Sequence, residues 1–329
     1  MIINILGAGT WGATIGSLIA KNNPNYKINI WQRNHSKSQK ISSSRLHENL
    51  SNHRMPENIN FTSNFNNLDG ESLTVIAVPT SSISNILSSY SFSKETKFII
   101  ACKGFDISSG WLPSQLLEIK YKVLPENISV LSGPNHAEEI IDNKPSAAVI
   151  ASTNEKLAKD LQKLFFHRNF RVYASSDIMG VQVGAAVKNV IAIASGLCVG
   201  LELGDNAQAA LVSRGMNELA TLKNLYNINI KSLYGLSGLG DLIATCYSKH
   251  SRNRKLGYLI GKGKTLDESK KEIGMVSEGV NTCKILYDIS IKHKLDMPIC
   301  TEVYNILFSN TNPRESIYNL MTRSLKIEN

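Results

Sequence analysis

The apolar run Ile2 to Leu6 leads without a break into Gly7-Ala8-Gly9-Thr10-Trp11-Gly12, and Ala13 to Ala20 continues with helix-compatible residues. A buried strand, a three-glycine turn and a helix start, in that order, admit few folds. The spacing suits a tight turn at Gly7, close approach of backbone to a pyrophosphate at Gly9, and close helix-to-strand packing at Gly12. The phosphates would then sit at the helix N-terminus, where N–H groups lack partners. GxGxxG alone is weak evidence; its place between a first strand and a first helix makes dinucleotide binding the favoured expectation over a merely structural turn.

The first half repeats the strand signal. Ile28 to Trp31, Leu73 to Val78, Phe98 to Cys102 and Ile128 to Leu131 are short Ile- and Val-rich runs, each fitting a strand buried on both faces. Ala147 to Ile150 and Val172 to Ala174 extend the series. Helix-like segments separate several of them, so the expected architecture is a doubly wound, Rossmann-type α/β domain with a parallel sheet. The character changes near Asp177. Ile178 to Leu203 is apolar around the whole helical wheel and must be surrounded by protein, although its length raises the question of a membrane. Gln182, Lys188, Asn189 and Ser195 interrupt it, which favours a core helix over a membrane span. Beyond it the signals are helical, with a capping box at Thr265 and Glu268 and an N-cap with following proline at Asn312-Pro313. The chain of 329 residues therefore divides into residues 1–180, a dinucleotide-binding domain, and residues 181–329, an all-α domain carrying substrate and catalysis.

Composition narrows the functional classes. With 42% hydrophobic and 19% charged residues, the chain lies far from disorder. The formal charge of +9 fits anionic small molecules, because the basic residues are scattered and form none of the blocks typical of nucleic-acid binding. Five cysteines without a CxxC pair point to reduced, mostly buried thiols and a cytoplasmic protein. The glycine turn begins too early to leave space for a signal peptide. No metal-ligand spacing is present.

Several polar residues stand where chemistry is done. Lys103 follows the strand Phe98 to Cys102, at the carboxyl end where open α/β sheets bind ligands; a surface lysine in a loop fits that fact equally. Ser132-Gly133-Pro134 repeats the geometry, and Asn135 to Ala137 would open the next helix. Lys188 is the only charge between Gly180 and Leu201. A lysine in such a helix needs a cavity or an acid, and burial disfavours the ammonium form, which suits a proton donor and acceptor. Gly235-Leu236-Ser237-Gly238-Leu239-Gly240-Asp241 delivers a carboxylate at a helix start, a candidate partner for Lys188 or a simple N-cap. Ser251-Arg252-Asn253 could open another helix and converge on a phosphate, or Ser251 could merely cap it. The second strand ends in Trp31-Gln32-Arg33-Asn34 with no carboxylate for a ribose diol, whereas Arg33 could meet a 2′-phosphate.

Taken together, GAGTWG, ACKGF around Lys103, LSGPNHAEE, VKNV around Lys188 and GLSGLGDLIATCYSKHSRNRKLG closely resemble the bacterial NAD(P)-dependent glycerol-3-phosphate dehydrogenases, in order from Ile2 to about Glu278. The resemblance implies reversible reduction of dihydroxyacetone phosphate to sn-glycerol 3-phosphate with NADPH or NADH, supplying the glycerophospholipid backbone. It implies Lys188 as the acid/base; Lys103, Asp241, Gly133 and Asn135 around the substrate oxygens; and Ser251, Arg252 and Asn253 at the phosphate. Gly7, Gly9, Thr10, Trp11, Gly12, Arg33, Lys103, Ala137, Arg252, Val276 and Glu278 fall on cofactor positions. Asn135 stands where a hydroxyl residue is common in the family, and Ser237 where a small apolar one is frequent. A homodimer through the helical domain is the expected assembly, with neither nucleic acid nor membrane insertion. The rival readings are another two-domain dehydrogenase of a β-hydroxy acid or sugar-acid phosphate, which gives no reason for GLGD followed by SRN, and an NAD(P)H sensor, which needs no acid/base lysine.

Overall fold

A computed structural model describes residues 1–50, 53–68, 73–274, 277–325 and 327. The chain resolves into two compact units, Met1–Gln182 and Val183–Asn329.

The first unit is built on eight strands: β1 (Ile2–Leu6), β2 (Lys27–Trp31), β3 (Ile59–Thr62), β4 (Leu73–Ile76), β5 (Phe98–Ile100), β6 (Ile128–Ser132), β7 (Ser146–Ser152) and β8 (Phe170–Ser175). They form one sheet in the order β3-β2-β1-β4-β5-β6-β7-β8. Every pairing is parallel except β6 with β7, which is antiparallel and departs from the expected all-parallel sheet. The connection between these two strands carries one short helix, Ala137–Ile141. The edge strand β3 has no counterpart among the runs named above, because Ile59-Asn60-Phe61-Thr62 alternates polar with apolar residues and is too short to read as a buried run.

Both faces of the sheet are covered by apolar packing, and the period-two alternation of each strand divides its side chains between them. Ile3, Ile5, Ile28, Ile30, Val75, Ile99 and Leu131 enter one cluster. Leu6, Ile76, Phe98, Ile100 and Val130 enter the other. On the second face a row of polar side chains crosses four strands at one register, Asn60, Asn29, Asn4 and Thr74. Asn60 Nδ2 donates to Asn29 Oδ1 at 3.3 Å, Asn29 Nδ2 to Asn4 Oδ1 at 3.2 Å, and Asn4 Nδ2 to the Tyr90 hydroxyl at 3.0 Å. The Thr74 hydroxyl shares that Tyr90 oxygen at 3.0 Å.

The second unit is helical. Its long helix, Ile178–Gly200, begins in the last residues of the first unit. Length and composition would let this helix cross a membrane, yet 94% of its most apolar window is buried inside the protein. Small residues let other backbones approach it. A Cβ on Gly196 would lie 2.0 Å from the Arg254 carbonyl oxygen, and one on Gly257 would lie 1.9 Å from that of Ile193. The helix Arg252–Gly261 therefore packs backbone to backbone along the long helix. Contacts advance together in both sequences, from Asn189 with Asn253 through Ile193 with Gly257 to Gly200 with Gly261, so the two helices run parallel. The capping box at Thr265 and Glu268 and the Asn312 cap ahead of Pro313 are both formed.

Candidate active site

The turn after β1 assigns each glycine a separate reason. Gly7 has φ +115°, and a Cβ there would lie 2.8 Å from the Ala77 carbonyl oxygen. A Cβ on Gly12 would lie 1.9 Å from the Gly7 carbonyl oxygen, which fixes how closely the helix Thr10–Asn22 packs on the turn. A Cβ on Gly9 would meet no atom of the described residues within 4 Å beyond its chain neighbours. Among the described residues no side chain caps this helix, which leaves its first N–H groups without a capping oxygen. Residues with unspent donors beside an open glycine fit a dinucleotide pyrophosphate. Trp11 anchors the turn through Nε1–H to the Ala101 carbonyl at 2.9 Å, and the Thr10 hydroxyl oxygen accepts from Asn49 Nδ2 at 3.2 Å.

Because β1, β4, β5 and β6 are parallel neighbours, their carboxyl ends share one edge of the sheet. Lys103, just after β5, donates from Nζ to the Gly133 carbonyl at 3.2 Å and to Asn135 Oδ1 at 2.8 Å. Gly133 has φ +148°, and a Cβ would lie 2.8 Å from Ala148 Cα, so only glycine fits. The Asn135 amide nitrogen is buried with no hydrogen-bond partner among the described residues, a donor on offer to a ligand. The helix opens at Ala137, within the expected start at Asn135 to Ala137, with buried Ala137 as its first residue. Arg33 lies exposed beyond the end of β2, and among the described residues its guanidinium makes no ion pair.

In the second unit Lys188 meets its acid. Its Nζ lies 2.9 Å from Asp241 Oδ1, with side chains only 6% and 4% exposed. The glycine segment makes this possible: Leu236–Gly240 winds as a π-helical turn, and a Cβ on Gly184 of the long helix would lie 3.0 Å from the Ser237 carbonyl oxygen. Asp241 thus begins the helix Asp241–Tyr247 close against the long helix and is no N-cap, since Gly240 holds that position. Thr245, one turn on, was missed by sequence reasoning. Its hydroxyl accepts from Lys188 Nζ at 2.5 Å and donates to the Asp241 carbonyl at 2.6 Å. The i, i+4 spacing from Asp241 was the available signal.

Ser251 caps the helix Arg252–Gly261, its hydroxyl oxygen accepting from the Arg254 N–H at 3.2 Å. Asn253 is a tie: Nδ2 donates to Asn189 Oδ1 at 3.0 Å, and Oδ1 accepts the Gly279 N–H at 3.1 Å. It joins the residue after Lys188 to the first turn of the helix Glu278–His293, where Glu278 lies. Arg252 is exposed at the helix start. Val276 lies outside the described residues.

A strand–glycine turn–helix opening on a mostly parallel sheet, followed by a helical unit with a buried lysine–aspartate pair, defines a two-unit dinucleotide-dependent dehydrogenase. The profile "NAD-dependent glycerol-3-phosphate dehydrogenase N-terminus" matches residues 2–158, and the corresponding C-terminus profile matches residues 177–318. The chain belongs to the NAD-dependent glycerol-3-phosphate dehydrogenase family. It is 40% identical to the glycerol-3-phosphate dehydrogenase [NAD(P)+] of Thermoanaerobacter sp. (strain X514), the match covering 100% of this chain and 99% of that protein. It is 38% identical to the enzyme of the same name from Fusobacterium nucleatum, over 99% of this chain and 98% of that one. The crystal structure of glycerol-3-phosphate dehydrogenase from Coxiella burnetii superposes with a TM-score of 0.90 at 30% identity, covering 98% of this chain and 99% of the other.

Proposed function

We propose that this chain interconverts dihydroxyacetone phosphate and sn-glycerol 3-phosphate with NADPH or NADH, with residues of the first unit holding the dinucleotide and residues of the second doing the proton chemistry. One observation carries the assignment of roles. Lys188 is buried against Asp241, while its chain neighbour Asn189 is bonded to Asn253 at the start of the helix Arg252–Gly261. A proton donor and a helix start with an adjacent guanidinium are thereby fixed side by side, which suits a substrate with a carbonyl at one end and a phosphate at the other.

The bound nicotinamide supplies the hydride. Lys188 gives a proton to the developing alkoxide from Nζ and takes it back in the reverse direction, and Asp241 with Thr245 holds that nitrogen in place. Arg252, Ser251 and Asn253 hold the phosphate, Asn253 through the amide hydrogen that it does not give to Asn189. Lys103, Gly133 and Asn135 contribute to the substrate oxygens, with the unspent Asn135 amide as the donor on offer. Gly7, Gly9, Thr10, Trp11 and Gly12 cradle the pyrophosphate; Arg33, Ala137, Arg252, Val276 and Glu278 complete the cofactor set. The five free thiols suit a reducing, cytoplasmic setting. Exposed Tyr318 and Met321 on the helix Pro313–Met321 are apolar side chains that a homodimer through the second unit would cover.

The test is oxidation of NADPH and of NADH by purified protein with dihydroxyacetone phosphate, with 3-hydroxy acids and 6-phosphogluconate as reverse-direction controls. Turnover with dihydroxyacetone phosphate and none with the controls is expected. Turnover confined to a control acid would replace the assignment.

A further inference from the structure

The glycine turn is held from behind by a residue that no role yet described requires. His47 follows the helix His35–Ser44 and is 3% exposed. Its Nδ1 lies 3.2 Å from the backbone nitrogen of Asn49, and its Nε2 lies 3.0 Å from the carbonyl oxygen of Ala8, inside the Gly7–Gly12 turn. A backbone N–H can only donate, so Nδ1 is the acceptor and Nε2 carries the hydrogen. The ring is thereby fixed as one neutral tautomer, its Nε2–H pointing at Ala8. Asn49 continues the brace, its side-chain amide donating to the Thr10 hydroxyl at 3.2 Å.

What this brace sets is the orientation of one peptide plane. The described residues hold no cis peptide bond, and in a trans peptide the C=O of one residue and the N–H of the next point in opposite directions. A histidine that holds the Ala8 carbonyl on one side therefore presents the Gly9 N–H on the other. Gly9 is the residue beside which a Cβ would find no atom of the described residues beyond its chain neighbours, and its N–H has no acceptor among them. We propose that His47 is a positioning residue for the dinucleotide site, locking the Ala8–Gly9 peptide so that the Gly9 N–H is preset for the pyrophosphate. The proposal rests on reading the glycine turn as the cofactor cradle. Burial lowers the pKa of the ring below the usual histidine value, which keeps it neutral and its Nδ1 free to accept. The charged groups acting on it are Glu48, which favours the imidazolium, and Lys37, which opposes it; the turn itself contributes no titratable side chain.

The test is direct binding, with no turnover involved. NADH affinity is measured by fluorescence for wild type, H47A and H47Q, each checked by thermal melting. Gln retains an N–H donor for the Ala8 carbonyl and does not titrate. H47A should weaken NADH by roughly tenfold, the cost of leaving a buried carbonyl without its donor, while H47Q stays close to wild type. Adenosine, which lacks the pyrophosphate, should bind H47A and wild type alike. ADP-ribose, which carries the pyrophosphate, should follow NADH across the three proteins. Unchanged NADH affinity in folded H47A, or equal losses for NADH and adenosine, would overturn the proposal. Should H47A not fold, H47M fills the space without offering the Ala8 carbonyl a donor, and unchanged NADH affinity in folded H47M would overturn it as well. A wild-type protein that binds neither NADH nor ADP-ribose would instead remove the reading of the turn on which the proposal stands.

Discussion

Lys188 sets its Nζ against two oxygens, the Asp241 carboxylate and the Thr245 hydroxyl, deep in a helix that offers no other charge. That isolation makes it replaceable without touching the glycine turn. Lys188→Met should lower turnover by on the order of a hundredfold to ten-thousandfold while NADH binding stays within about twofold of wild type. Rate and direct binding, measured on protein with an unaltered circular dichroism spectrum, check this; wild-type turnover would take Lys188 out of the proton chemistry. Arg33 poses the opposite case, exposed and, among the described residues, in no ion pair. With no acid at the end of β2 to repel a phosphate, Arg33→Ala should weaken NADPH by about tenfold and NADH little. Kinetics with both nucleotides at fixed dihydroxyacetone phosphate decide it, and a parallel loss would deny Arg33 a part in reading the 2′-phosphate. Residue chemistry was legible in sequence where burial conflicted with charge: one lysine in an apolar helix demands an acid, and Asp241 was the candidate at hand. Thr245 and His47 were not legible, because a threonine in a helix and a histidine in a loop conflict with nothing until their partners are in place.

Among the elements, the helix Pro298–Phe308 shows how a buried acid can serve as a cap. Glu218, on the helix Asp205–Thr221, accepts the N–H groups of Ile299 and Cys300, the latter at 3.1 Å. Desolvation outweighs those bonds and pushes its pKa up to about 7. The folded protein thus binds this proton more tightly than the unfolded chain, where the ordinary value is 4.5. Between those values only the folded state stays protonated, so stability falls as pH rises from about 4.5 to about 7 and levels off above. The span corresponds to about 3 kcal/mol. Thermal melts of wild type and Glu218→Gln across that range should show a difference that shifts in favour of Gln as pH rises; a constant difference would mean that Glu218 titrates near its ordinary value. Element boundaries were legible where apolar runs or caps marked them, as at β1 and at Thr265 with Glu268. The parallel packing of the long helix on Arg252–Gly261 was written in matched glycines, Gly196 with Gly200 and Gly257 with Gly261, a spacing that becomes informative only once two helices are known to meet.

At the scale of the whole molecule, the change from alternating strands to continuous helix was visible because the two halves bury apolar surface with different periods, two residues against an all-round stripe. Pairing direction was hidden, since β6 and β7 carry the same kind of residues whichever way they run. One feature of the sheet reaches beyond any single site. Strands β1, β2 and β3 each carry an asparagine between two apolar residues, Ile3-Asn4-Ile5, Ile28-Asn29-Ile30 and Ile59-Asn60-Phe61, and hydrophobic pattern alone cannot tell their register from one slipped by two residues, because the apolar side chains would stay on the same face. The amides can. A two-residue slip would set Asn4 beside Lys27 or Trp31 and strand amides in an apolar layer, each at a cost of about 1–3 kcal/mol. The row of asparagines is thus the sheet's proofreading mark: it adds little to the attraction between strands, and it makes a misaligned sheet unable to pass for the right one.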